Sequence, residues 1–233
     1  MKPYLVFDLD GTLADPGHPC LPENTELLQE LAKHAHIVLS SGKPTFYLCG
    51  FVRQLGLCDA ILIGENGGVL QTGVHLPPPV YREATIPTVT RNALKELRTK
   101  LEEAFPDRIW YQPNETALTP FPAYEEDFPL ISKLLSDFIT PAMHLCIYEH
   151  PDCFDIEYDA LSKGAGIRLL AEVTGADPKN MIAVGDWTND YSMFREVGYS
   201  VGIHLPQPEM ASVNFSNLNE ALQHILKKIV EPR

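Results

Sequence analysis

The chain has 233 residues, of which 45% are hydrophobic and 21% are charged, so it can bury a sizeable core. Its formal net charge of −13 argues against a nucleic-acid partner and against an anionic membrane surface, because both require a basic face. The same charge permits a small phosphorylated substrate, since a bound metal ion and one lysine can reverse the local sign.

The five cysteines are widely spaced and include no C-x-x-C pair, a pattern typical of reduced thiols. No charged leader with an apolar stretch of signal-peptide length precedes the first predicted strand. No apolar window approaches the length of a membrane span. We therefore expect a cytoplasmic protein.

Strand and helix patterns alternate in the first third of the chain. The leucines of the first helix recur at helical spacing, with Asn24 as a candidate N-cap. The second helix has Pro44 at its first position and Gly56 past its end. The predicted elements are a strand at 4–8, a helix at 23–35, a strand at 36–41, a helix at 44–56, and a strand with a returning strand over 60–70. This β-α-β-α-β order predicts a parallel, doubly wound sheet.

A proline-rich segment at 75–81 marks a boundary, after which the order of elements changes. The predicted elements are a helix at 88–105, two short strands around the Pro113-Asn114 turn, a helix at 125–139, and strands at 143–150 and 153–159. This α-β-β-α-β-β order is typical of a small antiparallel sheet with helices on one face.

The alternating pattern resumes at residue 163. The predicted elements are a helix that ends at Gly175, a strand at 180–186, a short helix at 190–198, a strand at 199–203 and a closing helix at 218–230. The expected fold class is therefore α/β: a Rossmann-like, doubly wound parallel core over 1–78 and 160–233, with an inserted α+β domain over 79–159.

Polar residues and glycines follow four of the predicted apolar strands. These polar residues are Asp8 and Asp10 after the first strand, Ser41 after the second, Glu65 and Asn66 after the third, and Asp186 after a later one. Chemistry in open parallel sheets lies beyond the carboxyl ends of the strands. We therefore expect these side chains at one edge of the sheet.

The residue types at this edge suit phosphoryl transfer. Asp8 and Asp186 would suit Mg²⁺, and without a metal ion such carboxylates repel one another or take up protons. An aspartate can attack phosphorus, and a carboxyl two residues later points to the same side of an extended chain. Asp10 could therefore protonate the leaving oxygen and later accept a proton from water. Ser41 precedes a helix whose free N–H groups favour an anion, and Lys163 lies where the chain re-enters the core.

These residues also carry a family resemblance. The segments DLDGTL, SSGK, the lysine of LSKGAG, and GDWTND resemble the four ordered motifs of the haloacid dehalogenase superfamily of phosphatases. The insertion between the second and third motifs resembles the large α+β cap of the Cof-like branch. The SGK…GENGG stretch is similar to archaeal-type phosphoglycolate phosphatases and to sucrose-phosphatase relatives.

The resemblance implies a role for each matching position. Asp8 would be the nucleophile, and Asp10 the general acid/base whose main-chain carbonyl also meets the metal. The implied catalytic residues are Asp8, Asp10, Ser41 and Lys163; the implied metal ligands are Asp8, Asp10, Asp186 and Asp190; the implied substrate-binding residues are Ser41, Gly42, Lys43, Asn66, Lys163 and Asn189. Lys43 stands where many Cof-like members have arginine, so it keeps the charge but lacks the bidentate fork.

We therefore expect a Mg²⁺-dependent phosphatase whose substrate is a small phosphorylated metabolite, either phosphoglycolate or a sugar phosphate. One alternative is a phosphomutase or phosphotransferase, which would pass the phosphoryl group to a sugar hydroxyl. The other is a non-catalytic, metabolite-binding regulator on the same scaffold. The intact Asp8/Asp10 pair argues against the regulator, because a binding module needs no acid/base beside a nucleophile.

Overall fold

The computed structural model describes residues 2–231 and consists of two compact units. The first unit comprises the chain up to Arg82 together with the chain from Ser162, and the second comprises Glu83–Leu161. Each unit has its own hydrophobic core.

The strands are, in chain order, β1 Tyr4–Phe7, β2 His36–Ser40, β3 Ile61–Gly64, β4 Val69–Thr72, β5 Tyr81–Glu83, β6 Ile109–Gln112, β7 Thr119–Pro122, β8 Leu145–Glu149, β9 Phe154–Tyr158, β10 Met181–Gly185, β11 Tyr199–Ile203 and β12 Val213–Phe215. Eight of them form one sheet in the order β12-β11-β10-β1-β2-β3-β4-β5. This sheet is parallel from β12 to β3, and β3 pairs with β4 in the antiparallel direction.

The helices are α1 Pro22–His34, α2 Thr45–Gln54, α3 Thr88–Ala104, α4 Phe128–Phe138, α5 Lys163–Thr174, α6 Tyr191–Glu196 and α7 Leu218–Val230. Within residues 2–231, none of them combines the length and the apolar character needed to cross a bilayer.

Helices cover both faces of the eight-stranded sheet, which is why its central strands β1, β3 and β10 read as continuous apolar runs. In β1, Leu5 and Phe7 pack in a core with residues of α1, α2 and α7, whereas Val6 packs in a second core with residues of α5 and α6. All three side chains are fully buried. The predicted doubly wound α/β fold is confirmed.

The second unit has the predicted α-β-β-α-β-β order. Its strands form two antiparallel pairs, β6-β7 and β8-β9, and Leu118 and Ile156 exchange main-chain hydrogen bonds of 3.0 Å between the pairs. Helices α3 and α4 bury Leu97 and Leu135 against Phe154 and Ile156 of β9.

Several details differ from the sequence-based expectations. Asn24 is not an N-cap: α1 begins two residues earlier, because Pro22 has a backbone preorganised for a first turn. Asn24 is instead buried, and it accepts a hydrogen bond of 3.1 Å from Asn219 of α7. Pro44 is the N-cap of α2 rather than its first residue. The three-residue edge strands β5 and β12 were not predicted, since they are too short and polar to show a strand pattern.

Candidate active site

Asp8 lies at the carboxyl edge of the sheet, directly after β1. Its N–H donates to the Val184 carbonyl at 2.9 Å and so extends the pairing of β1 with β10 by one residue. Its side chain is buried, with 8% exposed. Because β1 pairs with both β2 and β10, the carboxylate lies between the ends of two neighbouring strands.

Lys163 connects Asp8 to a second carboxylate. The Lys163 Nζ atom lies 2.6 Å from Asp8 Oδ1 and 2.6 Å from Asp190 Oδ1. Lys163 is the first residue of α5, where the helix dipole disfavours a cation, so the two carboxylates must hold it there. Burial alone would lower the pKa of Lys163, but the charges of Asp8 and Asp190 outweigh burial and raise that pKa above its ordinary value. The two carboxylates therefore favour the charged form of the lysine.

Asp190 uses both of its carboxylate oxygens within the protein. Oδ1 accepts from Lys163, and Oδ2 accepts from the N–H groups of Asp186 and Trp187 at 2.8 and 3.0 Å. Gly185 permits this arrangement, because a Cβ there would lie 2.3 Å from Asp190 Oδ2. Asp190 thus fixes both the lysine and the turn that follows β10.

Asp186 approaches the cluster from the end of β10. The Thr12 hydroxyl donates to Asp186 Oδ1 at 2.5 Å, and Gly11, with φ at +87°, lies against the other side of the carboxylate. One oxygen each from Asp8, Asp186 and Asp190 lies within 4.8 Å of the others.

The electrostatics of this cluster favour a cation. Three carboxylates face a single ammonium, so the cluster has a formal excess of negative charge. Burial raises the pKa of Asp8 to about 7 against the attraction of Lys163, and burial also raises the pKa of Asp186. Carboxylate oxygens are ligands that a hard divalent ion prefers. The residues present therefore fit such an ion. Asp8 and Asp186 would be the ligands most available to it, since both Asp190 oxygens already accept protein hydrogen bonds.

The segment after β2 is anchored to the turn between β3 and β4. Ser41 is buried; its N–H donates to the Ile63 carbonyl at 2.9 Å, and its hydroxyl accepts from the Lys43 N–H at 3.2 Å. The Asn66 N–H donates to the Ser41 carbonyl at 3.1 Å. The Asn66 amide group lies 3.4 Å from where a Cβ on Gly42 would be. Ser41, Gly42, Lys43 and Asn66 thus form one connected structure.

The turn that carries Asn66 has an unusual backbone. Glu65, Asn66 and Gly67 all have positive φ, at 53°, 50° and 95°. Asparagine and glycine tolerate this conformation, but for glutamate it is uncommon. Strained backbone of this kind persists where the surrounding structure demands it, and it clusters at functional sites.

The structure brings only some of the predicted residues into direct contact. Asp8, Lys163, Asp186 and Asp190 form the cluster described above. Asp10 lies in the loop after β1, where it forms a bridge with Ala14, and Asn189 is exposed beside Asp190. Sequence reasoning assigned no role to Thr12, although it belongs to the DLDGTL motif and contacts Asp186.

Comparison with known proteins identifies the family of the chain. The family described as haloacid dehalogenase-like hydrolase matches residues 5–111 and 121–213, which include Asp8, Lys163 and both aspartates of GDWTND. The chain belongs to this family. This match confirms the predicted resemblance to the superfamily. The chain is therefore an enzyme of a family that contains phosphatases and phosphotransferases.

Individual relatives are distant but cover most of the chain. A phosphoglycolate phosphatase from Methanococcoides burtonii is 26% identical over 201 residues, which cover 85% of this chain and 82% of the relative. A haloacid dehalogenase-like hydrolase from Bacteroides thetaiotaomicron has the same fold, with a TM-score of 0.75, 19% identity, and coverage of 97% of this chain and 100% of that one. The subclass IIB sugar phosphatase BT4131 has a TM-score of 0.67 at 20% identity, with coverage of 96% and 99%.

Proposed function

We propose that this haloacid dehalogenase-like enzyme is a Mg²⁺-dependent phosphatase that hydrolyses a small phosphorylated metabolite through an aspartyl-phosphate on Asp8. The observation that carries the proposal is the position of Lys163 Nζ, 2.6 Å from both Asp8 and Asp190. A fixed ammonium beside a carboxylate can neutralise phosphoryl oxygens as that carboxylate attacks phosphorus.

In the first step, an Asp8 oxygen attacks phosphorus in line with the leaving oxygen. The bond from phosphorus to the leaving oxygen breaks, and Asp10 gives its proton to that oxygen. Ser41, Gly42, Lys43, Asn66 and Asn189 are proposed to bind the substrate, together with Lys163. Ser41 lies next to the N-terminus of α2, whose free N–H groups favour an anion.

In the second step, Asp10 takes a proton from water, and the water oxygen attacks phosphorus. The bond between Asp8 and phosphorus breaks, which releases inorganic phosphate and restores the Asp8 carboxylate. A divalent ion held by Asp8, Asp186 and the Asp10 carbonyl would neutralise charge on the phosphoryl oxygens. Asp190 is proposed to support the site through Lys163 and the backbone of residues 186 and 187.

We propose phosphoglycolate or a sugar phosphate as the substrate, because one relative in sequence is named a phosphoglycolate phosphatase and one protein that shares the fold is named a sugar phosphatase. We assign the choice of substrate to the second unit, Glu83–Leu161, as a cap domain, which interrupts the chain between the second and third motifs. A cytoplasmic location is also proposed, since the five widely spaced cysteines include no C-x-x-C pair, a pattern typical of reduced thiols.

The proposal is tested by measuring phosphate release from a panel of phosphorylated metabolites in Mg²⁺. Asp8→Asn should lower the rate by at least about 10³-fold, because it removes the nucleophile. Asp15→Asn is the matched control, since Asp15 is an exposed aspartate in the same loop region, and its rate should remain at the wild-type value. Retained activity in Asp8→Asn would contradict the assignment.

The same assay separates hydrolysis from phosphotransfer. A phosphatase releases inorganic phosphate in the absence of any sugar acceptor. A phosphomutase or phosphotransferase would release phosphate slowly and would show faster substrate turnover when an acceptor sugar is added. The second result would replace the proposed hydrolysis with transfer from the same aspartyl-phosphate.

A further inference from the structure

The loop after β1 holds the Asp186 carboxylate from two sides. Thr12 is 4% exposed, and its hydroxyl donates to Asp186 Oδ1 at 2.5 Å. On the other side, a Cβ on Gly11 would lie 2.3 Å from Asp186 Oδ2 and 2.8 Å from its Cγ. The hydroxyl therefore sets the rotation of the carboxylate, and the glycine provides the space in which it lies.

Main-chain hydrogen bonds hold this loop in place independently of Asp186. The Leu9 carbonyl accepts from the N–H groups of Thr12, Leu13 and Ala14, at 3.3, 2.9 and 3.2 Å. The Gly11 N–H donates to the Ala14 carbonyl at 2.8 Å. Leu9 and Leu13 are each 2% exposed and belong to the core. These main-chain hydrogen bonds therefore hold the Thr12 hydroxyl in a fixed position.

The Thr12 hydroxyl is also an uncharged hydrogen-bond donor in a site that contains several carboxylates. The Asp186 carboxylate lies within 4.8 Å of carboxylate oxygens of Asp8 and Asp190. A hydroxyl can stabilise the ionised carboxylate without bringing a positive charge that would repel a metal ion.

We propose that Thr12 is a positioning residue for the divalent cation: its hydroxyl bonds Oδ1 of Asp186 and so holds the carboxylate in one orientation for the cation. The inference rests on the proposed function, which places the cation at Asp8 and Asp186. Mg²⁺ demands near-ideal octahedral geometry, so a carboxylate free to rotate would bind it less tightly. Groups that orient metal ligands typically change metal affinity by roughly 10- to 100-fold when removed.

The test is isothermal titration calorimetry of the substrate-free protein with Mg²⁺ alone. Thr12→Ala and Thr12→Val should each bind Mg²⁺ roughly 10- to 100-fold more weakly than the wild type. Thr12→Ser keeps the hydroxyl and should bind within about threefold of the wild type. In kinetic assays, the Mg²⁺ concentration for half-maximal rate should rise in parallel, while the substrate KM at saturating Mg²⁺ changes far less.

Thr174→Ala is the matched control, because the Thr174 hydroxyl also donates a hydrogen bond, of 2.7 Å, to the Leu170 carbonyl. Thr174 ends α5, about 16 Å along the helix from Lys163. Loss of the Thr174 hydroxyl should leave the Mg²⁺ affinity of the protein unchanged.

The possible outcomes distinguish a failure of the proposed Thr12 role from a failure of the proposed function. Equal Mg²⁺ affinity in the wild type and the folded Thr12→Ala variant would overturn the role of Thr12 and leave the proposed function standing. A Thr12→Ser variant as weak as Thr12→Ala would also overturn it, since the hydroxyl would then not be the cause. A wild-type protein that binds no Mg²⁺ would overturn the proposed metal centre together with this inference.

Discussion

The Asp190 carboxylate lies so close to the backbone of Gly185 that a Cβ on Gly185 would be 2.3 Å from its Oδ2 and 2.4 Å from its Cγ. Asp190 in turn positions Lys163, which contacts Asp8. A single glycine at the end of β10 is thus linked to the proposed nucleophile through two buried side chains.

Gly185→Ala should therefore inactivate the enzyme with little change in its secondary structure. The added methyl group displaces Asp190, which moves Lys163 away from Asp8, and we expect kcat to fall at least about 100-fold. Gly50→Ala is the control, because a Cβ on Gly50 in α2 would meet nothing within 4 Å. That variant should keep full activity and gain about 0.5–1 kcal/mol of unfolding free energy, measured by urea denaturation.

Removing the Lys163 charge should destabilise the metal-free protein strongly. Lys163→Met leaves Asp8 and Asp190 as buried carboxylates without their cation, which should cost about 3–5 kcal/mol of unfolding free energy. Lys33→Met removes a lysine from an exposed, solvent-screened pair with Glu30, so its effect on the free energy of unfolding should be far smaller. Urea unfolding in the presence of a metal chelator measures the change in unfolding free energy for both variants. Equal changes would contradict the pairing of Lys163 with Asp8 and Asp190.

Gly67→Ala should disturb the start of α5. Gly67 has φ at +95°, and a Cβ there would lie 2.5 Å from the Ser162 carbonyl oxygen and 2.7 Å from the Gly166 nitrogen. The clash shifts the turn that carries Lys163, so we expect kcat to fall more than about tenfold. Gly17→Ala has the same kind of backbone strain, with φ at +76°, but no neighbour within 4 Å. Gly17→Ala should lower the free energy of unfolding by about 1–2 kcal/mol and leave kcat unchanged. Equal kcat values for Gly17→Ala and Gly67→Ala would contradict the prediction.

His224 should make stability dependent on pH in the acid range. Burial, and then the charge of Lys228, lower the pKa of His224 below its ordinary value of 6.5, and Tyr199 Oη lies 2.9 Å from its Nε2. The unfolded chain therefore binds the proton more readily, so the contribution of His224 is complete above pH 6.5 and is lost as the pH falls through the lower folded-state pKa.

Thermal unfolding at a series of pH values between 5 and 7.5, as approximate limits around the free histidine pKa, measures this contribution. His224→Gln should flatten the part of the profile that lies below the ordinary pKa. His18→Gln, at an exposed ring, is the control for the substitution itself. A wild-type profile identical to that of His224→Gln would rule out the contribution.

Much of the fold could be predicted because local patterns and tertiary environment agree. The apolar run of β1 indicates a strand buried on both faces, and its pairing partners β2 and β10 show the same pattern. The side chains of Leu5, Val6 and Phe7 are all fully buried, as that apolar run predicts. The αββαββ order of the second unit was likewise readable from helical spacing and short strands between turns.

What could not be predicted depends on contacts distant in sequence. Nothing local to Asn24 shows that it accepts a hydrogen bond from Asn219, 195 residues away. The hydrogen bonds that Asp190 accepts from Lys163 and from two main-chain N–H groups cannot be read from the GDWTND motif. The contact between Thr12 and Asp186 spans 174 residues and depends on the conformation of the loop after β1, which brings the hydroxyl to the end of β10.

The point where the inserted unit ends has a practical consequence for protein engineering. The second unit ends at Leu161; Ser162, whose hydroxyl accepts the Ala165 N–H, caps α5, and Lys163 follows immediately. A chimera that exchanges this insertion for one from another phosphatase must therefore be joined before Ser162. A junction placed even two residues later would transplant the helix cap and the ammonium along with the foreign segment, and so would confuse a change of selectivity with damage to the chemistry.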